Sequence, residues 1–227
     1  MRARAASQWL PVRLTRWTVD TKPLRESRDL RLIVAGEFVT GLGTQATLVA
    51  LPYQLYVQTH STFLTGLLGA FELLPLCTMS LLIGTLADRF DRRRLLLLAQ
   101  FALVALSGAL AAATLAGRPP IVMLYLLGGL LAGAGATENV LASAIVPNVV
   151  SPERMRSAIA LSYSASQLTM VLGPALGGVL IATLGIGPAY LFDALSCLAM
   201  LAAASAMGPQ PPSHHGGTQL SIRASLA

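Results

Sequence analysis

Hydrophobic residues run almost unbroken through six stretches, 32–57, 63–87, 95–116, 121–146, 158–184 and 188–207, parted by short polar breaks. About 20 predominantly apolar residues carry a helix across the hydrocarbon of a bilayer, and every stretch reaches that length. The pattern predicts six membrane-spanning helices. None of the stretches contains Lys, Arg or His, and links this short make consecutive helices antiparallel neighbours. Three units follow: a basic arm over 1–31, a six-helix bundle over 32–207, and a linker over 208–227. The linker is rich in Pro, Ser, His and Gly, a turn-forming composition. It ends as an amphipathic cytoplasmic segment would begin, so it reads as truncated.

Composition narrows the class. Of 227 residues, 54% are hydrophobic and 11% charged, against about 25% charged in a soluble domain, which excludes a cytoplasmic globular enzyme. The formal charge of +6 raises the question of nucleic acid, but the basic residues sit between apolar runs rather than on one folded surface with stacking aromatics. Their placement instead predicts topology. Eight precede the first helix (Arg2, Arg4, Arg13, Arg16, Lys22, Arg25, Arg28, Arg31), and seven more lie at Arg89, Arg92, Arg93, Arg94, Arg154, Arg156 and Arg223. Alternating helices put all fifteen at one end and Arg118 alone at the other, so the positive-inside rule places both termini in the cytoplasm, with a bacterial inner membrane as the expected location. No compact apolar segment with a small-residue cleavage site precedes the first helix, so a cleavable signal peptide is not expected. Cys77 and Cys197 fall inside apolar stretches and read as buried small hydrophobes. His60, His214 and His215 lack the further ligands of a metal site. Neither a metal nor a cofactor is expected, and no Gly-x-Gly-Asp or HExxH pattern marks an intramembrane enzyme.

The most specific stretch joins the second and third helices: Gly84-Thr-Leu-Ala-Asp88-Arg89-Phe-Asp91-Arg92-Arg93-Arg94. Asp88 stands at a helix C-terminus and the arginines at a helix N-terminus, both the wrong sign for the helix macrodipole, so each wants a specific partner. A plain positive-inside loop accounts for the arginines but not for Gly84 and Asp88. The stretch resembles the signature of the major facilitator superfamily, Gly-x-x-x-Asp-Arg-x-Gly-Arg-Arg, which Gly84, Asp88, Arg89, Arg92 and Arg93 match; Asp91 stands where the pattern has glycine. The resemblance implies a conformational latch, with the carboxylate engaging the other half of a transporter in one state.

In the fifth helix, Gly173-Pro174-Ala-Leu-Gly177-Gly178 resembles the core of the superfamily's antiporter motif, with Thr169 where the fuller pattern has a further glycine. Pro174 removes a backbone hydrogen bond and kinks the helix, and Gly173 with Gly177 forms a small face for close helix contact. A packing kink alone also accounts for these residues. The stretches 49–56, 66–75 and 189–194 are similar to one branch of the superfamily, the enterobactin-exporter-like efflux proteins. The resemblance covers about 24–207 and extends to the N-terminal half only, since a complete member has twelve helices in two halves. It implies an all-α membrane protein built as one half, a 3+3 inverted repeat, of a major facilitator fold.

Four acids lie within the apolar runs: Glu37, Glu72, Glu138 and Asp193. A carboxylate at the bilayer centre costs about 2.5–3.5 kcal/mol on insertion scales, so each should face protein or a water-filled cavity. Superfamily architecture implies that the first and fourth helices line the central cavity, which makes Glu138 the first choice for a proton-titrating or cation-recognising group. Glu37, one to two turns from Arg31, either reaches toward the surface or serves as a buried polar contact. Glu72 either makes an inter-helix contact or takes part in coupling, and Asp193 reads as a structural partner to a neighbouring helix. Gln45, Gln54, Gln167 and Tyr163 add hydrogen-bonding groups either to the cavity or to helix contacts.

The function implied is proton-coupled efflux of a small amphipathic compound such as a siderophore or drug. The implied partners are the lipid bilayer, the substrate, protons, and a second six-helix half supplied by a separate chain, by missing sequence or by a homodimer. The alternative is a non-transporting relic or scaffold that keeps the fold without the cycle.

Overall fold

The computed structural model of the chain describes residues 27–87, 89–208 and 210. Six long helices account for nearly all of them: α1 (Arg28–Thr59), α2 (Thr62–Ala87), α3 (Arg92–Leu115), α4 (Ile121–Val149), α5 (Met155–Leu184) and α6 (Ile186–Ala206). All six are long and apolar enough to cross a membrane, as the hydrophobic pattern predicts. The helix α1 begins four residues ahead of its apolar stretch because Ser27 caps it, its hydroxyl accepting from the Leu30 amide at 3.1 Å, with Asp29 in the first turn. A carboxylate there has the favourable sign for the helix dipole.

The links are minimal. Gly185 alone separates α5 from α6, with φ +95°, a conformation that glycine adopts without a Cβ clash. His60 closes α1 in the left-handed region at φ 51°, its amide bonding the Tyr56 carbonyl at 2.7 Å. Prolines lie inside four helices, at Pro52, Pro75, Pro147 and Pro174.

Packing follows one pattern. The extensive contacts are α1 with α6, α1 with α5, α2 with α4, α3 with α6 and α3 with α4. Exchanging α1 with α4, α2 with α5 and α3 with α6 maps this set onto itself. Since α1 and α4 start at opposite ends of the bundle, the exchange inverts the chain direction, which is the relation between inverted three-helix repeats in major facilitator halves. The helices α2 and α5, each matched to one main partner, expose the broadest apolar faces, including Phe63, Leu74 and Leu81 on α2 and Val171 and Val179 on α5.

Small residues set the closest approaches. A Cβ on Gly36 would collide with Met200, and one on Gly43 with Ser196 and Asp193, so α1 seats these glycines on α6. Toward α5, the partners are reversed: a Cβ on Gly173 would strike Gln45, and one on Gly177 would stand 2.8 Å from the Ala46 Cα. Thr169, which occupies the position where the antiporter pattern has glycine, packs on Gly41, whose own Cβ would lie 3.0 Å from it. The small residue missing from α5 is thus supplied by α1. Gly178, one residue beyond Gly177, faces open space. Lipid tails are as apolar as leucine, so this close backbone fit supplies much of what holds helices together in a bilayer.

The two adjacent glycines should therefore respond differently. Gly177→Ala is expected to lower stability by about 1–3 kcal/mol, the usual cost of overpacking, whereas Gly178→Ala should be neutral or slightly stabilising; thermal unfolding of both variants in one detergent checks this.

Candidate functional site

The helices α1, α4 and α5 line an open cavity of about 460 Å³. It is lined by Glu37, Thr40, Thr44 and Gln45 from α1, by Glu138, Asn139 and Ser143 from α4, and by Ser162, Tyr163, Ser166 and Thr169 from α5, among others. Apart from Thr44 and Gln45, just past the middle of α1, the named lining residues lie in the half of their helix nearest the arginine-bearing end. Glu37 is about 14 Å from the start of α1 and Glu138 about 16 Å from the end of α4 at 1.5 Å per residue, so the two acids share one level. Glu138 is 8% exposed and Glu37 half-buried. Behind Glu138, on α3, stands Gln100, fully buried with its amide against the Glu138 carboxyl. Both Gln100 amide atoms lack a well-formed hydrogen bond, as does the Ser162 hydroxyl.

Of the three acids singled out as proton or substrate candidates, the structure brings Glu37 and Glu138 together and leaves Glu72 apart. Glu72 lies about 15 Å from the opposite end of α2, where its Oε1 packs over Gly128 of α4. Gln45 and Tyr163 line the cavity, while Gln54 and Gln167 do not. Gln54 joins three helices instead, accepting from the Tyr190 hydroxyl at 2.8 Å and donating to Thr114 at 3.1 Å. Asp193 on α6 is a second such node. Its carboxylate accepts from Thr47 at 2.8 Å and Ser107 at 2.7 Å, with Thr44 at 3.5 Å and the Cys197 thiol at 3.8 Å. Hydrogen bonds of this kind contribute about 0.6 kcal/mol each in a bilayer protein. The main effect of the node is to offset the cost of the buried acid while tying α1, α3 and α6. Gln100 was missed from sequence; its signal was the isolated amide in the otherwise apolar run 95–116.

Two arginines of the signature loop, Arg92 and Arg93, find partners on other helices. Arg93 donates from Nε to the Ala204 carbonyl at 2.9 Å and from Nη2 to that of Ser205 at 2.5 Å. Arg92, buried, donates from Nη1 to the Ala144 carbonyl at 2.7 Å and from Nε to that of Ala87 at 3.4 Å. The guanidinium charge thus sits at the C-terminal turns of α2 and α6, where the dipole favours it, and near the end of α4, rather than only on the N-terminus of α3. Asp91, in place of the pattern's glycine, caps α3 by accepting from the Arg93 amide at 2.9 Å. The Gln210 amide also approaches Asp91, at 3.4 Å, and the Gln210 carbonyl accepts from the Arg92 amide at 3.1 Å. Arg89 is exposed, a methyl on Gly84 would meet nothing within 4 Å, and Asp88 lies outside the described residues.

Two pseudo-symmetric three-helix repeats with a polar cavity against α1 and α4 define a six-helix half of the major facilitator type. The chain belongs to that superfamily: the family model described as transmembrane secretion effector matches residues 19–215. It is 28% identical to the enterobactin exporter EntS of Citrobacter koseri and to that of Shigella boydii serotype 4, in each case over 88% of this chain and 49% of the relative. It is 27% identical, with the same coverage, to the enterobactin exporter EntS of Escherichia coli O127:H6. The chain thus spans about half the length of the curated relatives it matches. It is a multi-pass membrane protein.

Arg93→Ala should loosen the end of α6, seen as faster amide exchange over residues 203–207 in lipid nanodiscs, because the carbonyls of Ala204 and Ser205 lose a charged donor. Arg94→Ala, at an exposed position, should leave that exchange unchanged.

Proposed function

We propose that the chain forms the N-terminal half of a major facilitator transporter that exports a small amphipathic compound, such as a siderophore or drug, in exchange for protons. The observation that carries this reading is the pairing of Glu37 and Glu138 across one polar cavity between α1 and α4, the two helices that the repeat exchange interchanges. Similarity to enterobactin exporters supports export as the direction. The fifteen-to-one distribution of basic residues supports a cytoplasmic position for both termini, in a bacterial inner membrane.

Alternating access needs two halves that rock around a site near the midplane. This chain supplies one wall of such a site. A second six-helix half, from a separate chain, further sequence or a second copy, would close it against the exposed faces of α2 and α5. In the cycle, Glu138 takes up a proton on one side of the membrane and gives it up on the other, and its burial makes the charged form costly enough to couple the two steps. Asp88 acts as the latch residue, and Gly173 and Gly177 of the stretch Gly173-Pro174-Ala-Leu-Gly177-Gly178 hold α5 close to α1 while the halves move.

The test is a pH-gradient-driven efflux assay of this chain with and without a second six-helix unit. Glu138→Gln should abolish gradient-driven efflux in the assembled transporter with expression intact; unchanged proton coupling would remove Glu138 from the role. Efflux absent from every assembly would mean a fold kept without its transport cycle. For the latch, Asp88→Asn should shift cysteine accessibility between the two sides of the membrane by severalfold, and identical labelling of variant and parent would reduce the motif to a plain loop.

A further inference from the structure

The cavity between α1, α4 and α5 holds more carboxyl groups than a single proton site requires. Its lining holds two carboxyl groups and no Lys, Arg or His. Glu37 forms no hydrogen bond or ion pair with any described residue, and Glu138, 8% exposed and facing the cavity, has only the Gln100 amide against its carboxyl. The other buried acid, Asp193, has hydroxyl donors from two neighbouring helices. The contrast is physical. A structural carboxyl in hydrocarbon collects donors, because an unpaired one is costly, and Asp193 has done so while the two cavity acids have not. Gln100, fully buried behind Glu138, also keeps both amide atoms without a well-formed hydrogen bond.

We propose that the ligand of this cavity is an organic cation, an amphipathic molecule bearing a protonated amine or a quaternary centre, held between the carboxylates of Glu37 and Glu138. The inference rests on the reading of this cavity as the substrate site and names the chemical class it accepts. Three features fit that class. The volume of about 460 Å³ lies in the range of small-molecule sites. The exposed Tyr163 ring at the cavity wall offers a face to a cation. A metal ion is a poorer fit: no group of three or more His, Cys, Asp or Glu among the described residues is placed to hold one, and two carboxylates alone leave a hard cation short of ligands. Half-buried Glu37 meets the cation first, and Glu138, deeper in the protein, receives it. An anion of the same size would face two uncompensated carboxylates and no cationic partner on this wall.

The test uses the 227-residue chain in nanodiscs of phosphatidylcholine and two probes of matched shape and opposite charge, tetraphenylphosphonium and tetraphenylborate, with empty nanodiscs subtracted. Tetraphenylphosphonium is expected to bind saturably and tetraphenylborate not to. The double variant Glu37→Gln with Glu138→Gln should weaken phosphonium binding at least about tenfold, while Glu37→Asp with Glu138→Asp, which keeps the charge, should retain it. Equal saturable binding of both probes, no saturable phosphonium site, or full affinity in the double glutamine variant would each overturn the inference. Proton-driven efflux in an assembly whose cavity binds no phosphonium would overturn it alone and leave the transport reading standing. A phosphonium site in an assembly without such efflux would do the reverse.

Discussion

The structure depends on one constraint: in hydrocarbon there is no hydrophobic force to press one apolar helix against another. Association then rests on how closely backbones can approach and on the few polar groups that find partners across the contact. The helix α1 meets both requirements at once. Its glycines Gly36 and Gly43 seat α6, and its Gly41 and Ala46 receive α5, so it docks the first repeat onto two helices of the second. The helix α4, its counterpart under the repeat exchange, offers Gly129 and Gly133 to Phe71, Pro75 and Met79 of α2 in the same manner.

Polar side chains fall into two populations on this frame. Asp193, Gln54, Tyr190, Thr47 and Ser107 complete one another's hydrogen bonds and brace α1, α3 and α6. Arg92 and Arg93 do similar work at one end, placing positive charge on the last carbonyls of α2 and α6 and on that of Ala144 in α4. The second population surrounds the cavity, with Glu37 left without a hydrogen-bond partner among the described residues and Glu138 facing only the poorly aligned Gln100 amide. Such groups are retained at a cost in stability, and that cost is the physical reason to look for function where α1 and α4 face each other, with Gln100 of α3 behind them, rather than at the well-satisfied Asp193 node on α6.

The loop between α2 and α3 shows how a motif is read differently once its surroundings are known. Along the chain, its arginines oppose the dipole of the helix they begin. In space, they serve the dipoles of other helices. Asp91 looks like a lapse from the superfamily pattern until its carboxylate is seen to cap α3, and Thr169 looks like another until Gly41 is found beneath it.

The six helices, their approximate limits and the uneven distribution of arginine were legible in the residues themselves, because burial in lipid demands long apolar runs and admits charge only at their ends. The presence of four intramembrane acids was legible for the same reason. Their roles were not, since the cost of a buried carboxyl depends on which donors surround it, and those donors come from helices distant in sequence. Only the tertiary structure separated Asp193, with hydroxyls from α1 and α3, from Glu138, with none. Only it put Glu37 at the level of Glu138, moved Glu72 to the α2 and α4 contact, and revealed Gln100. Hydropathy is a property of each residue and can be read one position at a time, whereas satisfaction of a polar group is a property of its neighbours, which exist only once the helices have packed.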